Sequence, residues 1–222
     1  MSNPLLVVVG AGPGVGLSVA RRFGRAGFDV GLVARSDDAG EEMGATLQAE
    51  GVTAGWATAE VVDAPALTAA ITRFGGFADR IDVLHFNPSA FRQHDPLTLT
   101  VEELLEDVRL GVGGLLTALQ AARPFLHPGA RVTATGSEAA DHPWNEAASL
   151  GVQKAGLRNL VKSIDATLAP LGGRAVSVTV NGTLGEGTPF SADHVADAIY
   201  AAATQPEDGW RTEIPFNGAP GA

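Results

Sequence analysis

Leu5-Leu6-Val7-Val8-Val9-Gly10-Ala11-Gly12-Pro13-Gly14-Val15-Gly16 governs the reading of the whole chain. Five apolar residues in a row have the length of a strand buried on both faces. Glycines then lead into a helix-period segment, Val15–Ala26. A phosphate resting on a helix N-terminus must approach bare main-chain N–H groups, where the aligned peptide dipoles favour negative charge. A Cβ on the loop would hold it off. The spacing is G-x-x-x-G-x-G rather than G-x-G-x-x-G, but the strand before it and the helix after it supply the required context. The expectation is a dinucleotide-binding turn, with Gly10, Gly12, Gly14, Val15 and Gly16 against the pyrophosphate.

Outward from this turn, apolar runs alternate with helix-period segments to the end of the chain, the pattern of a parallel sheet covered by helices. Strands are predicted at Leu5–Val9, Asp29–Ala34, Thr53–Thr58, Ile81–Phe86, Ala130–Thr135, Ala175–Val180 and Arg211–Phe216. Helices are predicted at Val15–Ala26, Asp38–Glu50, Ala64–Phe74, Val101–Arg123, Ala147–Leu168 and Ser191–Ala203. Right-handed crossovers then give an α/β, Rossmann-like, doubly wound sheet of about seven parallel strands with helices on both faces. The 222 residues read as one domain, with Asn217–Ala222 as a loose tail.

Fifteen basic against 25 acidic residues leave a net charge of −10, with no Lys/Arg cluster to replace phosphate counterions, so no nucleic-acid partner is expected. Hydrophobic residues make up 45% but never reach the ~18–20 in a row that a membrane span needs. Met1-Ser-Asn-Pro4 shows no basic segment with a cleavable apolar core, and a cytoplasmic location is expected. The absence of cysteine removes disulfides and thiol chemistry. Five scattered histidines without an i, i+4 pair suggest no metal site.

Cofactor preference follows from charge. A carboxylate at the end of the second strand would accept ribose hydroxyls and repel a 2′-phosphate. Arg35 stands there, nineteen residues past Gly16. A guanidinium pairs with phosphate as a fork, which favours NADP(H) over NAD(H). Asp37 and Asp38 follow; either Ser36 or Asp37 suits the N-cap of the second helix.

The glycine spacing resembles that of the short-chain dehydrogenase/reductase family, and the resemblance spans essentially the whole chain. Glu60-Val61 lies where the family usually has Asp-Val against adenine. Phe86-Asn87-Pro88-Ser89 resembles a worn Asn-Asn-Ala-Gly, and Asn181-Gly182 replaces Pro-Gly. The resemblance places Glu60, Val61, Asn87, Gly182 and Leu184 along the cofactor. It also implies a small-molecule substrate and a homodimer or homotetramer built on Val101–Arg123 and Ala147–Leu168. The small residues of those helices suit close packing: Gly111, Gly113, Gly114, Ala118, Ala121, Ala122, Ala155 and Gly156.

The family's site holds Ser, Tyr and Lys with a supporting Asn. In this arrangement the Tyr passes the proton, the Lys binds ribose and lowers the Tyr pKa, and the Ser polarises the carbonyl. Here Lys154 and Ser137 keep the register, whereas Leu150 stands at the Tyr position and Arg109 at that of the Asn. Tyr200, the one tyrosine, reads as a packing residue on the last helix. Leucine has no proton to give, a loss worth ~10²–10⁴-fold in carbonyl reduction. His142, with Asp141 and Glu138 on the same loop, is the tentative substitute donor. Only eight residues separate Gly182 from Ser191, so the substrate lid, about 183–190, is truncated. The expected function is NADP(H)-dependent oxidoreduction of a carbonyl, alcohol or imine at an atypical site. Two alternatives stand beside it: a non-redox isomerase, cyclase or dehydratase, and a catalytically silent NADP-binding protein.

Overall fold

The computed structural model describes residues 3–219. Seven strands form one all-parallel sheet in the order β3-β2-β1-β4-β5-β6-β7. They are β1 (Leu5–Val9), β2 (Asp29–Ala34), β3 (Ala54–Thr58), β4 (Ile81–Phe86), β5 (Leu126–Ser137), β6 (Arg174–Val180) and β7 (Glu213–Phe216). The helices are α1 (Val15–Gly24), α2 (Asp37–Ala49), α3 (Ala64–Ala78), α4 (Val101–Val108), α5 (Gly114–Ala122), α6 (Ala148–Leu168) and α7 (Ala192–Ala203). This is the Rossmann-like doubly wound fold, and the chain reverses direction across the sheet beside β1. No helix among the described residues is long and apolar enough to cross a membrane.

Alternating side chains of each strand feed two cores. Leu5, Val7 and Val9 of β1 pack under α3, α5 and α6 with Ile71, Leu115, Leu157 and Val161. Leu6 and Val8 face the other way, toward Val19 and Phe23 of α1, Leu47 of α2 and Ile199 of α7. A strand buried on both faces must be apolar at every position, which is why the early run reads continuously. Tyr200 packs edge-on against Phe23 at 5.0 Å and beneath the Arg22 guanidinium.

Three expectations need correction. The predicted helix Val101–Arg123 contains a wide π turn at Arg109–Gly113 between α4 and α5. Its glycines face close neighbours: a Cβ on Gly111 would lie 2.4 Å from Gln153 Oε1, and one on Gly114 would lie 2.3 Å from Val61. These small residues, with buried Ala118, Ala121 and Ala122, therefore serve packing within the chain rather than marking a free surface. β5 is twice its predicted length, because Leu126 pairs with Ile81 beyond a register shift. The start of the expected loose tail is also tied down: Asn181 donates to Asn217 at 2.7 Å and the Ala219 N–H to Pro189 O at 2.9 Å. The rest of that tail, 220–222, lies outside the described residues.

Buried charge fixes the far end of the sheet. Asp165 of α6 accepts from the Arg174 guanidinium twice, at 2.9 and 2.8 Å, and from the Ala175 N–H at 2.8 Å. Those donors hold its carboxyl below the usual range against the opposing effect of burial. Asp165→Ala leaves the guanidinium and the strand N–H without their acceptor. It should lower the unfolding free energy by about 3 kcal/mol in a urea titration.

Candidate active site

The carboxyl ends of β1, β4, β5 and β6 open on one cavity of about 340 Å³. Gly12, Gly14, Val15, Gly16, Asn87, Ser137, Leu150, Lys154, Gly182 and Leu184 line it together, although they come from five separate stretches of sequence. Ser89, Thr135, Gly136 and Val180 also line it and were not anticipated. Thr135 and Gly136 immediately precede Ser137 on β5, so their place at the strand end was the available signal.

The remaining residues named from the sequence lie elsewhere. Gly10 is beneath the loop at φ +75°, where a Cβ would sit 2.6 Å from Pro88 Cγ. Arg35 is exposed just past β2, and Glu60 is exposed after β3. Val61 is a core residue packed toward Gly114. His142 is exposed and does not line the cavity. Asp141 beside it is taken up by both terminal nitrogens of Arg158. The tentative donor loop is thus a surface loop held by an ion pair. Arg109 donates to Val62 O at 3.0 Å and is absent from the lining.

The glycine loop suits an anion. Gly14 is the N-cap of α1, with no side chain to satisfy the first N–H groups and no acidic residue in the first turn. Ideal Cβ atoms at Gly12 and Gly14 would meet nothing within 4 Å, so both positions face open space. Gly16 is different: its Cβ would press on Ala11 Cα at 3.1 Å, which ties helix to loop. Bare donors, the positive end of a ten-residue helix and vacant space in front of them fit a dinucleotide pyrophosphate.

Two polar clamps that the sequence reading missed hold the loop after β4 against the cavity. Gln153 pairs with Ala90 through both its amide groups, each at 3.0 Å. Arg92 reaches Glu103, Glu106 and the buried Asp107, and Asp107 also accepts from Ser149 at 2.6 Å. The residues joined here are as much as 63 positions apart, so no local pattern announces them. Across the cavity, Phe190 fills the space a Gly182 Cβ would need and stacks edge-on against Phe216 at 5.7 Å.

From the cavity wall into the core runs a polar chain, half-buried at Asn87 and Thr135 and fully buried at His85 and Thr133. Thr135 Oγ1 donates to Asn87 Oδ1 at 2.9 Å, Asn87 Nδ2 donates to Gly10 O, and His85 bonds Thr133 at 2.9 Å. Burial, then the nearby Lys154 charge, lowers the His85 pKa to about 3, so its ring is neutral at pH 7. Lys154 donates to Thr135 O at 3.0 Å and to Pro88 O at 3.4 Å, and burial lowers its pKa from 10.5 to about 8. A lysine whose pKa is lowered by folding destabilises the native state while protonated, and that penalty is relieved as pH rises through the folded value. Relative to Lys154→Met, the wild type should gain on the order of 3 kcal/mol between about pH 8 and 10.5, with a flat difference below pH 7, in denaturant titrations across pH.

Residues 4–193 match the family model described as short chain dehydrogenase. An uncharacterized oxidoreductase of Staphylococcus epidermidis is 27% identical over 219 residues, covering 93% of each chain. A short-chain dehydrogenase/reductase from Serratia marcescens superposes with a TM-score of 0.87 at 21% identity over 97% of both chains. A metagenomic short-chain oxidoreductase solved in complex with NADP gives 0.84 at 22% identity over 96% of both. With its parallel sheet, its glycine turn and this match, the chain belongs to the short-chain dehydrogenase family.

Proposed function

We propose that the chain is an NADP(H)-dependent oxidoreductase that interconverts a small-molecule carbonyl or imine with its alcohol or amine. One observation carries the reading: the bare N-terminus of α1 shares a single cavity with Ser137 and Lys154. A bound nicotinamide dinucleotide supplies or takes up hydride there. The α1 N–H groups hold its pyrophosphate, Lys154 holds ribose, and Ser137 orients the substrate oxygen. Ser137 Oγ accepts from the Ala139 N–H at 3.3 Å, which fixes the hydroxyl and leaves its proton for a substrate. The Staphylococcus relative is named as an oxidoreductase, and the metagenomic neighbour binds NADP. Glu60 flanks the adenine end in this reading, and Asn87, Gly182 and Leu184 the nicotinamide end, while the Val61 side chain serves the core.

Preference for the 2′-phosphate rests on Arg35. Of the two carboxylates that would oppose it if turned inward, Asp37 accepts from Trp56 Nε1 at 2.9 Å and Asp38 is exposed in the first turn of α2, which Ser36 caps. Arg35→Ala should weaken NADPH binding ~10–100-fold and leave NADH nearly unchanged in calorimetric titration. Equal losses for both cofactors would remove the basis for NADP preference.

Leu150 lines the cavity four residues before Lys154, at the position where the family carries its phenol. We read the site as lacking that phenol and, with Arg109 turned to Val62 O, the supporting amide as well. Leu150→Tyr should raise NADPH-dependent reduction of an aldehyde panel by ~100-fold if the rest of the pocket is in register. The apolar wall at Leu150 also favours a second reading, non-redox isomerisation or dehydration. Substrate turnover without any change in NADPH absorbance distinguishes it. The strap at 183–190 serves as a truncated lid. Assembly into a homo-oligomer is supported by Val101, Leu105, Trp144 and Val152, all exposed on or near α4 and α6.

A further inference from the structure

Lys154 is the one side chain with an acid–base function that lines the cavity among the described residues; the other lining groups are glycines, aliphatics, hydroxyls and the amide of Asn87. We propose that Lys154 is itself the proton donor and acceptor of the reaction, taking over the step that Leu150 cannot perform. This rests on the redox reading above. In the reducing direction, hydride from the reduced dinucleotide forms a C–H bond at the carbonyl carbon, and the C=O π electrons move onto oxygen. Lys154 Nζ releases a proton to that oxygen, forming O–H; the dinucleotide leaves oxidised, and solvent reprotonates the amine.

The geometry suits a group that changes its protonation state in place. An ammonium has three hydrogens, and two are directed to Thr135 O and Pro88 O. The third has no acceptor among the described residues. When that proton leaves, the neutral amine keeps two N–H hydrogens for the same two carbonyls, so neither bond is lost. Among the described residues, no carboxylate forms an ion pair with Nζ to hold the proton in place. Of the charged groups on surrounding elements, His85 of β4 is neutral, and Asp107 of α4 is bound to Arg92 and Ser149. Arg158, one turn further along α6, pairs with Asp141 and Glu213, while Arg109 points to Val62 O. Burial alone lowers the lysine to about 8, where an ammonium donates readily at neutral pH.

The sequence makes the test clean, since the chain has no cysteine and its second lysine, Lys162, lies on the exposed side of α6. Protein labelled with ¹³C at lysine Cε gives two signals, assigned with Lys162→Arg. The Lys154 signal should titrate near pH 8, and turnover of 4-nitrobenzaldehyde with NADPH should fall above the same midpoint. Lys154→Cys, alkylated with 2-bromoethylamine, restores an amine made less basic by its sulfur. The alkaline limb should then move to lower pH. Lys154→Arg, which keeps the charge but cannot release a proton, should lose ~100-fold in kcat at saturating NADPH. An alkaline limb that stays in place after aminoethylation, or an arginine variant with near-normal turnover, overturns the proposal while leaving the redox reading intact. Wild-type protein that binds NADPH but oxidises none of it with any carbonyl tested overturns both.

Discussion

Because all seven strands run the same way, each delivers its following loop to one rim of the sheet. The reversal of chain direction beside β1 then parts those loops, opening space next to the glycine turn. Every cavity residue owes its position to this constraint. Ser137 is the last residue of β5, Asn87 and Gly182 fall just past β4 and β6, and Lys154 reaches up from the helix that follows β5. No loop has to travel far to assemble the site. The rigid core beneath it, apolar at almost every strand position, fixes the distances among the polar groups.

That core also sets the electrostatics. A sheet covered on both faces offers little water, so charge placed at its rim carries a desolvation cost. Lys154 meets the cost with two carbonyl oxygens rather than a carboxylate, and His85 meets it by staying neutral with a threonine partner. A protonated His85 would stand beside the lysine and repel it. Its neutrality leaves Lys154 as the one charged side chain lining the cavity among the described residues.

Much of this was legible in the sequence. The glycine turn, the parallel sheet implied by alternating β and α segments, and the Ser137–Leu150–Lys154 register all rest on local spacing, and local spacing survives folding. What was illegible depended on contacts between distant residues. The π turn at Arg109–Gly113 arises where Gly111 meets Gln153, a side chain 42 positions later that also clamps the loop at Ala90. His142 looked suitable because imidazole titrates at the right pH, but suitability says nothing of direction, and it lies on the exposed surface. The helix stripe of small residues pointed to a partner chain, yet Ala118, Ala121 and Ala122 are buried in the protein's own core.

The Phe190 ring wedged against Gly182 has a consequence for access to the cavity. It pins both ends of an eight-residue strap, and the strap's main chain is drawn in further by the Gly185 N–H on Phe190 O. Eight residues anchored at both ends leave less chain to cover the opening than a longer lid would. In the proposed function, a substrate then enters past a short, doubly anchored strap rather than beneath a long mobile flap.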